Sequence, residues 1–214
     1  MGSNEDASVF KDTVLVTGFG PFGVHEVNAS MESVKLLHSL DVERELGIRL
    51  VTQEIPVIYE YVQTNIYKLW NTYKPKLVVH VGVSGMANEL TLETQAFNTG
   101  YSSLDITGEL PKNGVCVDGC PDRIESAIDM RKICQNVNNT HCDVMTCVST
   151  DPGRFLCDFI FYTSLHIDSS RTAFVHVPVL DRPYSALQLA QALKKVIAGM
   201  LEQVREKDRQ KNNV

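Results

Sequence analysis

The chain has no apolar run of the roughly 18 residues that a membrane-spanning helix requires. Its opening residues, Met1-Gly2-Ser3-Asn4-Glu5-Asp6, lack the charged-then-apolar order of a secretory leader. Asp6 stands where a myristoylation site carries Ser or Thr. No signal peptide and no membrane partner are therefore expected, and the cytoplasm is the expected location. Basic charge is also in deficit: 20 Lys and Arg against 26 Asp and Glu leave a net charge of −6. A phosphate backbone attracts the opposite balance, so nucleic acid is not an expected partner. Internal repeats and low-complexity linkers are absent. The mixed basic cluster from Lys207 to Lys211 reads as part of a flexible tail, 207–214. A flexible N-terminus, 1–12, and a single domain over 13–206 complete the expected layout.

Cysteine, by contrast, is present at Cys116, Cys120, Cys134, Cys142, Cys147 and Cys157. In a non-secreted domain of this size these read as free thiols rather than a disulfide framework. Cys116 and Cys120 have the spacing of half a zinc site, but no second half with a nearby histidine accompanies them, so no metal is expected. The sequons Asn28-Ala29-Ser30 and Asn138-Asn139-Thr140 are chance matches without secretion.

Strand-like and helix-like segments alternate. Thr13–Thr17, Arg49–Ile55, Leu77–Val83, Asp143–Ser149 and Thr172–Val177 read as strands. Ala29–Leu40, Ile58–Tyr73, Asp122–Val137, Phe155–Leu165 and Ser185 to about Glu206 read as helices, the last with Leu189, Leu193, Val196, Ile197 and Met200 on one face. Gly82 to Pro121 reads as a long irregular segment, a length that often carries function. This order predicts an α/β sandwich with a mostly parallel central sheet. Sites in such sheets gather where strands run into loops. Gly18–Gly23, Gly82–Leu92 and Thr150–Cys157 all follow expected strands and can converge on one site.

Gly18-Phe19-Gly20-Pro21-Phe22-Gly23 has the G-x-G-x-x-G spacing but is not a phosphate loop. Pro21 removes an N–H that would cradle phosphate, and no Lys-Ser or Lys-Thr pair follows. Phe19 and Phe22 suit either a turn with two core aromatics or an apolar ring pocket. Cys157 follows Asp151-Pro152-Gly153, which reads as a helix start with Asp151 as cap and Pro152 at a first helical position. A cysteine in an early helical turn has its thiolate stabilised by the helix dipole, and the same free N–H groups suit an oxyanion. A small buried core residue is the plainer reading of any cysteine. His176, inside Phe174-Val175-His176-Val177-Pro178, is either a satisfied core histidine or a base for Cys157. His80, inside Val79-His80-Val81, reads as a satisfied core histidine, and a lone Glu93 reads as surface.

Taken together, the motifs resemble the pyroglutamyl-peptidase I family of cysteine peptidases. Thr17-Gly18-Phe19-Gly20-Pro21-Phe22-Gly23 with Asn28-Ala29-Ser30 is similar to the family's opening signature. His80-Val81-Gly82-Val83-Ser84-Gly85-Met86-Ala87 with Glu93, then Asp151 to Asp158, then Phe174 to Pro178, follow in the family's order. The resemblance spans about residues 13 to 200. It implies a three-layer α/β/α sandwich (phosphorylase/hydrolase-like). It also implies Cys157 as nucleophile, His176 as base and acid, and Glu93 as the group that orients the imidazole. Phe19 and Phe22 fall where the family lines a lactam-ring pocket; Phe155 and Leu156 are implied to help, more through backbone than side chain. The implied substrates are peptides with N-terminal pyroglutamate, the implied mechanism a thioester acyl-enzyme, and no cofactor is implied. Relatives include monomers and homo-oligomers. Thr94 departs from the arginine that follows the glutamate in many bacterial members, and Pro152 from the usual alanine. The same catalytic set acting on another acyl group, and a catalytically silent protein on this fold, are the alternatives.

Overall fold

The computed structural model describes residues 12–23, 26–140 and 142–212. Among the described residues, eight strands and six α-helices follow in the order β1 (Asp12–Phe19), α1 (Ala29–Leu36), α2 (Val42–Leu46), β2 (Ile48–Ile55), α3 (Tyr59–Tyr73), β3 (Leu77–Val83), β4 (Leu90–Glu93), β5 (Gln95–Phe97), β6 (Arg123–Glu125), α4 (Met130–Asn138), β7 (Thr146–Ser149), α5 (Leu156–Asp168), β8 (Thr172–Val177) and α6 (Ala186–Asn212). The central sheet has the order β2-β1-β3-β8-β4-β7.

Alternation along each strand makes the three layers. Val14 and Val16 of β1, Val79 and Val81 of β3, and Val175 and Val177 of β8 bury against α1, α4 and α6. Leu15, Val78 and Phe174 face the other way, into a core shared with α3 and α5. Period-2 side chains on strands buried on both faces require such apolar runs. The expected face of α6 is fully buried, since Leu189, Leu193, Val196, Ile197 and Met200 are all 0% exposed. Each such side chain contributes about 1.5–3 kcal/mol.

The sheet is mostly parallel, with one reversal. β1 pairs in parallel with β2 and β3, and β3 with β8. β4 runs antiparallel to β8 and parallel to β7. The long segment expected to be irregular therefore contains β4, a strand of the central sheet, and β5, which pairs with β6. The remainder of that segment is tied by side chains. Asn98 Oδ1 accepts from the N–H groups of Cys116 and Val117, and its amide donates to Val117 O and Cys120 O. Asp105 accepts from Thr107 N–H, Glu109 N–H and Tyr59 N–H.

Other boundaries differ from expectation. The helix expected over 122–137 begins only at Met130, because residues 123–125 pair with β5 and Asp129 caps through Lys132 N–H. The helix expected to reach Leu40 leaves α geometry at Leu37 for a 3-10 turn, and Asp41 at φ 57° separates it from α2. The tail expected to be flexible from 207 is helical to Asn212. Lys207 donates to Ala127 O, and Asp208 accepts two bonds from Arg171 and pairs with Lys76 at 2.5 Å. At the other end Asp12 belongs to β1 and accepts from Arg205; residues 1–11 and 213–214 lie outside the described residues.

Candidate active site

The segment leading to Cys157 is shaped by a turn rather than by a side-chain cap. Gly153 sits at φ 80°, a left-handed conformation that favours glycine and interrupts any helix. Asp151 Oδ1 accepts from Gly153 N–H and from Arg154 Nη1. Asp151 and Pro152 are thus turn residues, not the helix start. α5 begins at Leu156, with extended Phe155 as N-cap and no capping side chain. Cys157 is still in the first turn, where N–H groups have no intrahelical acceptor and the dipole favours negative charge.

The sulfur is seated on a missing side chain. A Cβ at Gly82 would lie 2.7 Å from Cys157 Sγ and 2.8 Å from Phe174 Cζ. Gly82 of β3 is the register partner of His176 on β8, so the same position that admits the sulfur sets it beside the imidazole. Glycine inside an otherwise apolar strand is the signal for such an approach; sequence reading passed over it.

His176 is 6% exposed and Glu93 2%. His176 Nδ1 lies 2.8 Å from Glu93 Oε1, which leaves Nε2 for Cys157. Burial pulls the imidazole down, but the Cys157 sulfur, by charge and hydrogen bond, and then Glu93 raise it above its ordinary value, to about 10. The expectation of a surface glutamate is corrected: β4 carries Glu93 inside. Its Oε2 meets no hydrogen-bond donor among the described residues. Thr94 turns away, donating through N–H and Oγ1 to Ser149 O.

Cys157 stands between two depressions. On one side is a narrow crevice lined by Phe19, Phe22, Asn28, Val57, Val83, Phe155, Leu156 and Cys157 itself. On the other is an open cleft of about 580 Å³ reached by Val83 to Ala87, Thr91, Glu93, Asp151 to Gly153 and His176. The three loops expected to converge do so, although β7, which leads to Cys157, runs against the parallel strands. Phe19 is buried and its N–H donates to Ser30 Oγ; Asn28 caps α1 and donates to Gly20 O, which locks the glycine-rich turn. Phe155 contributes its ring, 6.4 Å from that of Phe22 and perpendicular to Tyr59 at 5.9 Å, as well as its backbone. Val57 is a crevice residue that carried no signal in the sequence, and Asn28 entered it only as part of the opening signature.

The remaining candidates sit apart. His80 is 1% exposed, bonded to Thr17 Oγ1 and Ser164 Oγ at 2.7 Å each, and pushed down to about 3 by burial, so it is a neutral core residue. All six cysteines are free. Burial pushes Cys116 up to about 12, and it contacts Thr163 and Phe159 O. No cluster of three metal-ligating side chains occurs among the described residues.

Comparison with known proteins gives a consistent result. The family model described as Pyroglutamyl peptidase matches residues 12–200. The chain is 47% identical to human pyroglutamyl-peptidase 1 over 192 residues, 90% of this chain and 91% of that one. It is 29% identical to the pyrrolidone-carboxylate peptidase of Thermococcus onnurineus over 192 residues, 85% of this chain and 93% of that one. The crystal structure of Bacillus amyloliquefaciens pyroglutamyl peptidase I shares the fold, with a TM-score of 0.79 at 23% identity over 90% of this chain and 98% of that one. The chain belongs to the pyroglutamyl peptidase family of cysteine-type peptidases.

Proposed function

We propose that the protein removes N-terminal pyroglutamate from peptides and proteins, with Cys157 as nucleophile, His176 as base and acid, and Glu93 orienting the imidazole. One observation carries this: Cys157 Sγ rests over Gly82 at the start of a helix while its neighbour His176 is held by a buried carboxylate at 2.8 Å. His176 Nε2 takes the thiol proton. The thiolate attacks the pyroglutamyl carbonyl carbon outside the ring, and first-turn N–H groups of α5 donate to the oxyanion. His176 gives its proton to the leaving amine as the C–N bond breaks. Water, deprotonated by His176, then cleaves the thioester, and the proton returns to sulfur. Glu93 stabilises the imidazolium in both halves.

The crevice explains the acyl group. Apart from Cys157, whose charge is lost when the thioester forms, none of its lining side chains is charged. A free α-ammonium buried there would lack a counter-charge, a cost of several kcal/mol. The pyroglutamyl ring carries no such charge, and Phe19, Phe22, Phe155 and Leu156 suit its apolar edges. The leaving peptide extends into the open cleft. Six free thiols, and the lack among the described residues of any helix long and apolar enough to cross a membrane, fit action in the cytoplasm. Matched pyroglutamyl and prolyl fluorogenic amides test the reading. The pyroglutamyl amide is expected to be cleaved at least about 10³-fold faster, because a site that bonds a ring carbonyl rejects an analogue lacking it. Equal rates overturn the reading.

A further inference from the structure

Asp158, next to the nucleophile, has no part in the reaction just described, yet it is 0% exposed and carries a carboxyl group. Its Oδ1 accepts from Phe97 N–H at 2.9 Å, and its Oδ2 lies 3.1 Å from Tyr101 Oη. Tyr101 Oη also lies 2.5 Å from Phe97 O. A tyrosine hydroxyl has one proton, and a carbonyl oxygen only accepts. The shorter contact needs that proton. The contact to Asp158 is then a hydrogen bond only when the carboxyl group supplies a proton of its own.

We propose that Asp158 is a positioning residue held as a neutral carboxylic acid, which accepts from Phe97, donates to Tyr101, and thereby fixes the wall of the ring crevice. The inference rests on the function proposed above. The linkage to the crevice is a chain of rings. Tyr101 meets Tyr59 at 6.1 Å and Phe159 at 5.2 Å, and Tyr59 stands perpendicular to Phe155, which faces Phe22. Tyr59 is itself tied to the 98–122 segment through Asp105 and Ser103. One carboxyl group thus joins the first turn of α5 to the segment that backs the crevice.

The groups facing Asp158 favour the acid. Arg154 Nη1 is 3.7 Å from Oδ2, but it is closer to Asp151 Oδ1, at 2.6 Å, and its guanidinium lies over the Phe97 ring. Tyr101 bonds Asp158 and buried Cys116 acts on both groups, and neither brings positive charge. Burial accordingly raises the Asp158 carboxyl to about 7, against the lowering influence of Phe97 N–H, Arg154 and Tyr101. A folded value above the unfolded one means that stability is fully present below about 3.8 and is lost as pH rises through about 7.

Asp158→Asn, Asp158→Ala and Tyr101→Phe test the assignment. The asparagine amide reproduces both bonds, donating to Tyr101 and accepting from Phe97. Asp158→Asn is expected to keep kcat and KM for a pyroglutamyl amide within about threefold of wild type, while Asp158→Ala and Tyr101→Phe raise KM about tenfold with kcat less affected. A second readout needs no turnover: the difference in urea midpoint between wild type and Asp158→Asn, in which the pH dependence contributed by His176 cancels, falls from pH 5 to 8. If Asp158→Asn is as impaired as Asp158→Ala, an ionised carboxylate is required and the proposal is wrong. An unchanged KM in both Asp158→Ala and Tyr101→Phe also overturns it. Should wild type cleave no pyroglutamyl amide, the proposed function fails, and the urea midpoints still decide whether Asp158 is an acid.

Discussion

Glu93 reaches His176 because a strand runs backwards. Thr91 of β4 is the antiparallel register partner of His176 on β8, and Glu93 lies two residues along the same face. Diagonal neighbours on one face are within reach of a long side chain. In a wholly parallel sheet the carboxylate would arrive from a loop, with the freedom of a loop. Here both partners are pinned by ladder hydrogen bonds, and the 2.8 Å contact follows from register. Glu93→Gln keeps the shape and removes the charge. It is expected to lower kcat/KM by roughly 10²–10⁴-fold with little change in KM. A loss below about tenfold would remove Glu93 from the mechanism.

The pH profile follows from the same contact. With His176 raised to about 10, the imidazolium survives well past neutrality, so the alkaline limb of kcat/KM is expected toward pH 10 rather than near 6.5. The stability contribution has a matching sign. It is fully present below about 6.5 and is lost as pH rises toward 10, because the folded chain holds the proton more tightly. Glu93→Gln should draw the alkaline limb downward. An alkaline limb near 6.5 in wild type would show that Cys157 and Glu93 do not hold the proton.

Gly82 is a space requirement rather than a turn. Gly82→Ala places a methyl group within 3 Å of both Cys157 Sγ and Phe174. β3 cannot retreat, since it is paired on both sides by β1 and β8. The expected result is a loss of activity of at least about 10²-fold, as a displaced nucleophile suffers, together with a stability cost of about 1–3 kcal/mol. Gly199→Ala, where the new Cβ meets only Ile133 at ordinary contact distance, is the control and is expected to be neutral or mildly stabilising. Near-normal turnover by Gly82→Ala would mean that the sulfur is not seated there.

Thiol reactivity separates Cys157 from the others. Cys116 and Cys147 are both raised by burial, and neither stands beside a histidine held by a carboxylate. Iodoacetamide should label Cys157 first, by at least about tenfold over the other five thiols, and a pyroglutamyl ligand should protect it. Peptide mapping after a short pulse reads both effects. Uniform labelling would remove the case for an activated nucleophile.

Much of this was legible in the sequence, for physical reasons. β3 and β8 have the expected bounds because strands buried on both faces are continuous apolar runs. α6 shows its buried face at helical spacing. The candidate site was legible only through the order of motifs that resemble the family, which brought Cys157, His176 and Glu93 forward together. The failures are equally specific. β4 is four residues long and its strand character comes from its neighbours, so no local pattern marks it. The Asp151-Pro152-Gly153 turn imitates a helix start because aspartate serves turns and caps alike, and only the positive φ of Gly153 decides between them. The C-terminal residues look like a solvated tail until Lys76 and Arg171, distant in sequence, supply partners for Asp208.

Whether Cys157 accepts the acyl group is decided by hydrolysis of a pyroglutamyl fluorogenic amide by wild type and by Cys157→Ser, with folding of the variant checked by its urea midpoint. Wild type is expected to turn over, and the variant to lose at least about 10³-fold in kcat with an unchanged midpoint. Comparable turnover by a folded Cys157→Ser would contradict the account.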